Sequence, residues 1–419
     1  MKVSAPQRLA VSLAALGAMV GLSTISIETT RATSLFDAMS GRDPYFPSYS
    51  WFGLGVRPLL VGFMLVELVC VAVPPLRWRR VSGAGPRRPL VYASWGLGLA
   101  LVALQAWSAS RAAEDLLFGA KVMAGTLVVW GLVVAGGRFG LLNGFAVAAL
   151  ASLGVLDDVQ QVQRLFGQEA ITPGAVLVLV AVLAGAVWTL TFLTRRPAPS
   201  GEVPVRAPPP ISGLGMTATA GAMLSLPASL SSFVPAMVDV QRTLQQSASV
   251  YRALWIGFAV LLTIVWSFIY FRPRAVASVW TRWNPQLDEV SATLAARALL
   301  PPGLRDALLV NVAFAVAIDL TLGFGTGFVA AAMVTTLIVL DGLDEWRFRL
   351  SHGELTTVLE VQRVPEVDAV LHRLSSNGVP AVARARHYRV VDQFFAPNVP
   401  VEVMVPAARA DEAKALLAT

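Results

Sequence analysis

Cys70 is the only cysteine in the chain. That excludes an internal disulfide and any zinc site built on cysteines. Histidine occurs only at His352, His372 and His387, so residues 1–351 contain none. Imidazole catalysis and most transition-metal sites are excluded there. That region also lacks HExxH, GxSxG and paired intramembrane aspartates. An enzyme is not expected, and neither a catalytic residue nor a cofactor or metal is assigned. Charge is scarce as well. Lys+Arg 33 and Asp+Glu 26 make 14% of the chain, against about 25% in an ordinary soluble domain. Lysine stands only at Lys2, Lys121 and Lys414, so nearly all positive charge is arginine.

What the chain has instead is apolar surface. Hydrophobic residues make up 55% of it, and mean hydropathy is +0.64. Disordered chains, secreted disulfide scaffolds and ordinary soluble enzymes do not look like this. A helix needs about 20 mostly apolar residues to cross the hydrocarbon core. Seven stretches carry no charge at all: 9–27, 89–110, 122–137, 139–156, 171–194, 207–238 and 253–271. Two more are nearly free of charge: 51–76, interrupted by Arg57 and Glu67, and 307–340, interrupted by Asp319. The last is too long for one span and breaks at Gly323, Gly325 and Gly327. The reading is ten spans, near 8–27, 51–75, 89–109, 116–137, 140–156, 172–194, 212–234, 252–271, 303–322 and 326–346. The first, whose apolar run exceeds a usual signal core, is read as a retained helix rather than a cleaved signal.

Basic residues orient these spans. Eighteen fall on the set of alternate loops that begins with Lys2 and Arg8, and seven on the other set. The excess includes Arg77, Arg79, Arg80, Arg87 and Arg88. It places both termini in the cytoplasm and requires an even number of spans.

From Glu354 the pattern changes. Residues 356–362 alternate like a strand, and Pro365 to Ser376 reads as a helix with Val367, Val370, Leu371 and Leu374 on one face and Gly378 as its stop. Val379 to Tyr388 reads as a second strand, Val399 to Val405 as a third, and Ala408 to Leu417 as a closing helix. This βαββα order makes residues 354–419 a small α+β cytoplasmic domain. Its seven basic and eight acidic residues nearly cancel, which argues against a nucleic-acid partner. Asn377-Gly-Val-Pro-Ala381, Val403-Met-Val-Pro406 and the run Asp411 to Leu417 resemble a ferredoxin-like module described as a prokaryotic signal-transducing domain.

Four phrases in the membrane part point to one family. The first is Ser34-Leu-Phe-Asp-Ala-Met-Ser-Gly41, then Trp51-Phe-Gly-Leu-Gly-Val-Arg-Pro58, then a run ending Val73-Pro-Pro-Leu76. The second is Ala124-Gly-Thr-Leu-Val-Val-Trp-Gly131 through Gly137-Arg-Phe-Gly-Leu-Leu-Asn-Gly144. The third runs from Pro210-Ile-Ser-Gly-Leu-Gly-Met216 through Leu226-Pro-Ala-Ser-Leu230, and the fourth is Tyr270-Phe-Arg-Pro-Arg-Ala-Val-Ala277. In this order, across roughly residues 8–346, they resemble SecY, the pore subunit of the protein-conducting translocon.

The resemblance implies an all-α polytopic membrane domain over 1–350, with ten transmembrane helices in two pseudo-symmetric five-helix halves, about 1–160 and 170–350. It implies a pore constriction at Val56, Leu60, Phe145, Ala149, Ala218 and, with looser spacing, Ala330. The plug would lie at about 34–48 and include Ser34, Leu35, Phe36 and Met39. Apolar or small side chains at such a waist block ions by dewetting. The family's waist is mostly isoleucine, so three alanines make this one wider or leave more sealing to the plug. Phe145 and Leu60 are expected to compensate. The seventh span, with Gly213, Gly215, Ala218, Ala220, Gly221 and Ala222, is built of the small residues that let helices part. Arg57, where the family is apolar, is either a charge lining the outer vestibule or an arginine snorkelling to headgroups. Glu67 is expected to make a structural hydrogen bond.

The implied partners are a SecE-like small membrane subunit, a translocating polypeptide and membrane lipids. A SecA-like motor or a ribosome is less well provided for. The loop from Arg195 to Ile211 is short and Pro-rich, and the loop after the eighth span lacks the family's arginine phrase. These departures suggest a divergent or specialised channel in the bacterial cytoplasmic (inner) membrane. The alternative is a multi-pass solute transporter with a cytoplasmic regulatory domain. A third reading is an inert scaffold or sensor on the same fold.

Overall fold

The computed structural model describes residues 5–25, 56–73, 84–113, 115–141, 144–151, 172–195, 248–270, 272–284, 286–321, 327–362, 364–391 and 400–418, with isolated positions between them such as Trp51 and Leu224. The expected plug, and the seventh span apart from Leu224, lie outside the described residues.

Helices stand on the apolar runs. The first group is α1 (Ala5–Thr24), α2 (Arg57–Ala72), α3 (Ala84–Ala113), α4 (Leu116–Phe139) and the short α5 (Gly144–Ala151). The second is α6 (Pro173–Arg195), α7 (Ala248–Tyr270), α8 (Pro273–Trp283), α9 (Glu289–Thr321) and α10 (Gly327–His352). The stretches Arg87–Trp107, Leu116–Phe139, Pro173–Phe192 and Glu289–Ala317 are long and apolar enough to cross a membrane. Pro6–Leu22 and Ser249–Val265 are shorter apolar helices.

A helix satisfies its own backbone, which hydrocarbon cannot do for it. Buried hydroxyls follow the same rule. Ser94 donates to the Leu90 carbonyl at 2.8 Å, Thr126 to Val122 at 2.9 Å and Thr263 to Ala259 at 2.7 Å, each within its own helix. Pro58 and Pro273 occupy the first turns of α2 and α8, where a missing N–H costs nothing. The Asp115 carboxylate accepts the Leu117 N–H at 2.8 Å and caps α4.

Two apolar cores hold the groups together. In the first, Met19, Val56, Leu59, Phe63, Val102, Val129, Val133 and Val147 are buried against one another. Trp95 stands edge-on to both Phe63 and Trp130, with ring centroids 5.9 and 5.3 Å away. Helices α2 and α3 meet closely here because both carry glycine at the crossing. A Cβ on Gly62 would lie 2.7 Å from the Gly98 nitrogen. In the second core Leu190 of α6, Val310 and Phe314 of α9, and Val329, Met333 and Leu337 of α10 pack together.

The tail forms a three-stranded sheet, antiparallel throughout, in the order β1-β3-β2. Its elements are β1 (Leu355–Val361), α11 (Val364–Ser376), β2 (Val382–Arg384), α12 (Arg386–Val391), β3 (Val401–Pro406), a single 3₁₀ turn, and α13 (Ala410–Ala418). The central strand β3 is the most buried. One expectation fails. The strand read over 379–388 is only Val382–Arg384, and α12 replaces the rest. The chain turns at Ala385, with φ +62°. The Asp341 carboxylate of α10 then accepts the backbone N–H groups of His387 and Tyr388, both at 2.9 Å. A cap 46 residues upstream starts a helix that local alternation reads as strand.

The tail's core is shared. Val276, Ala277, Trp280 and Trp283 of α8, with Ala292 and Ala296 of α9, are buried in one cluster with Val367, Val370, Leu374, Val403 and Val405. The Trp283 indole donates to Glu366 at 2.9 Å. Helix α8 places its buried residues at steps of one, three and three, a single stripe, and the tail covers it.

Three substitutions check this packing. Gly62→Ala should lower stability by about 1–3 kcal/mol, since two backbones must move. Gly131→Ala, where a Cβ meets nothing within 4 Å, should leave the thermal unfolding of the solubilised protein unchanged. Trp280→Ala should cost about 3–5 kcal/mol in the shared core, and limited proteolysis should then cut between α10 and α11 faster than in the parent protein.

Candidate functional site

Val56 and Ala330 are the expected waist residues whose side chains are described. Val56 is fully buried at the start of α2, in the first core. Ala330 is 8% exposed, on α10 in the second core. They sit in separate cores, one in each group of helices. Leu60 lies on α2, and Phe145 and Ala149 on α5, but their side chains are outside the described residues, as is that of Arg57 in the first turn of α2. Ala218 and the plug residues Ser34, Leu35, Phe36 and Met39 lie outside them altogether. Their neighbours are informative. Leu59 of α2, and Val147 and Ala148 of α5, are all buried in the same apolar core as Val56.

The described residues on either side of 26–50, where the plug is expected, bond to each other. The Trp51 N–H donates to the Ile25 carbonyl at 3.1 Å, joining the two residues that flank 26–50. The Trp51 carbonyl in turn faces Gly125 of α4, where any Cβ would collide with it. That close approach explains a glycine at this position. Glu67, which the sequence reading places within the second span, is 1% exposed on α2.

Sequence reasoning did not find a second site, the seam between the tail and the helix ends. Glu345 of α10 is 1% exposed and holds two guanidinium groups. Arg349, one turn on, binds it at 2.8 Å. Arg384, the last residue of β2, binds it at 2.8 and 3.4 Å as a two-pronged fork. The same Arg384 donates to Glu402 of β3 at 3.3 Å and to the Gly140 carbonyl, between α4 and α5, at 3.1 Å. Burial works against the Arg384 charge, but Glu345 and Glu402 outweigh it and hold its pKa above the ordinary arginine value. Arg8 of α1 is an electrostatic neighbour of all four of these charged residues. Its carbonyl and the Ser12 hydroxyl accept the Leu141 N–H at 3.1 and 3.0 Å, fixing the turn that presents Gly140.

Other pairs line the seam. Asp344 of α10 meets His387 Nε2 at 2.9 Å, Arg386 meets Asp368 at 2.6 Å, and Arg87 of α3 lies 4.0 Å from Glu360 of β1. The one signal available in advance was the i,i+4 spacing of Glu345 and Arg349; nothing local marks Arg384 as their partner. Among the described residues no three His, Cys, Asp or Glu side chains gather as a metal would need.

No family model and no curated protein matches the chain. Solved structures do. A structure of a protein-conducting channel aligns over 83% of this chain and 94% of its own, with TM-score 0.57 and 11% identity. A second is described as showing that the plug domain of the SecY protein stabilises the closed state of the translocation channel and maintains a membrane seal. It aligns over 83% of this chain and 93% of its own, with TM-score 0.58 and 11% identity. The chain is a multi-pass membrane protein with a SecY-like fold.

Proposed function

We propose that the chain is the pore-forming subunit of a protein-conducting channel, specialised rather than general, that moves polypeptides across or into the bacterial inner membrane. The observation that carries this reading is the alignment of nearly the whole of two translocation-channel structures with this chain. In this reading the ten spans form two halves, about 1–160 and 170–350. Both termini and the ferredoxin-like tail lie in the cytoplasm, in keeping with the arginine bias. A SecE-like helix would clamp the halves from outside. The waist would be Val56, Leu60, Phe145, Ala149, Ala218 and Ala330, closed from the outer side by a plug that includes Ser34, Leu35, Phe36 and Met39. Arg57 would line the outer vestibule.

The mechanism is passive. An apolar constriction excludes ions because a dewetted gap gives them no solvation. It also makes no strong contact with a passing chain, so it does not trap what it conducts. Opening moves the plug and parts the helices toward lipid, with energy supplied from outside the channel. The helix α8, which follows the eighth span, spends its apolar face on the tail. That leaves less of this loop for a motor or ribosome and supports the specialised reading.

A photoreactive residue at Leu60 in α2 should capture a chain arrested in transit. Uptake of a small solute by vesicles, with no such capture, would replace the channel with a carrier. In reconstituted protein Phe145→Ala should raise resting ion leak several-fold, since a large apolar group is removed where neighbouring waist residues are alanine. Leak equal to the parent would remove Phe145 from the seal.

A further inference from the structure

We infer that the tail is a latch between the two groups of helices, and that Arg384 is its positioning residue. The inference rests on the channel reading for its consequence, but not for its geometry. One guanidinium touches both groups at once. It forks onto Glu345 of α10 in the second group and donates to the Gly140 carbonyl in the first, at 3.1 Å. It is 11% exposed and Glu345 is 1% exposed, so solvent screens neither. A second, looser tie runs from Glu360 of β1 to Arg87 of α3, again in the first group.

The tail itself is anchored to the second group. It shares its core with α8 and α9, and Asp341 of α10 caps its helix α12. It therefore moves with the second group, and its two arginine contacts reach across to the first. If the halves separate or rotate at this end, the Gly140 carbonyl leaves Arg384. A buried guanidinium donor then loses a partner, and the charged hydrogen bond that opposed the motion is gone. Whatever displaces the tail frees the halves; while the tail stays docked, they are held in one relation. This gives the tail a role in gating that needs no ligand in the pore.

Deleting the tail would bare Trp280 and Trp283, so the test uses substitutions in the full chain. Cys70, which is buried, is replaced by serine. Spin labels are placed at Arg138→Cys on α4 and Arg347→Cys on α10, both exposed positions, in protein reconstituted into lipid nanodiscs. The parent should give one narrow distance distribution. Arg384→Ala should broaden it toward longer distances and raise the open population, and with it resting ion leak, about tenfold. Arg349 still neutralises Glu345 in that variant. Arg384→Lys keeps a cation beside Glu345 as well, but its single ammonium cannot hold the fork and reach Gly140 together. It should broaden the distances too, and it serves in place of Arg384→Ala should that variant prove polydisperse. Distances as narrow as the parent's in the variant tested overturn the latch. Broadened distances without increased leak keep the latch and overturn the channel.

Discussion

Hydrocarbon offers a polar group nothing to bond. Every N–H and C=O of a spanning segment must find its partner within the chain, and several buried hydroxyls do the same. In this protein Ser94, Thr126 and Thr263 turn back to carbonyls of their own helices. Asn311 does the same, to Ala307 at 2.8 Å. Those groups are then spent within their own helices. The helices are joined by fit, as where Gly62 meets Gly98. Contacts of that kind have no hydrophobic drive between helices in lipid. In the channel reading, contacts of that kind suit helices that part and re-form.

The strong electrostatics are displaced to one end. Glu345, Arg349, Arg384 and Glu402 form a compact, nearly neutral cluster at the boundary between helix ends and tail. A buried pair of this type adds little net stability, because desolvation offsets most of the attraction. It is better suited to specifying a position. Arg384 has five donors in a rigid plane, and a carboxylate, a second carboxylate and a carbonyl each take part of that fork. Only one docking of the tail satisfies all three.

The helical plan was legible because apolar length is a property of consecutive residues. The runs at 89–110, 122–137, 171–194 and 253–271 carry α3, α4, α6 and α7. The glycines at 323–327 fall where α9 gives way to α10. The SecY-like fold was legible from the order of four short phrases. What stayed hidden depends on distant partners. Residues 379–388 read as a strand, yet Asp341 caps a helix that begins at Arg386. The run 273–283 reads as part of a basic loop, yet its tryptophans complete the tail's core. Arg384 looks like any arginine in an arginine-rich chain; its significance lies in Gly140, 244 positions earlier.

These facts bear on how a fold persists at 11% identity. Its membrane part asks for classes of residue: apolar surface toward lipid and small residues at crossings. Many sequences meet those demands, so identity decays while the path of the chain survives. The bond between Ile25 and Trp51, and the seat of the Trp51 carbonyl on Gly125, need only backbone atoms and one missing Cβ. The tail-side face asks for something narrower. There a specific carbonyl, two specific carboxylates and one arginine must coincide. In the channel reading, that difference in demand is where such a protein would carry its individuality: a pore would be set by general chemistry, and control of it by a few charged side chains that meet at a single seam.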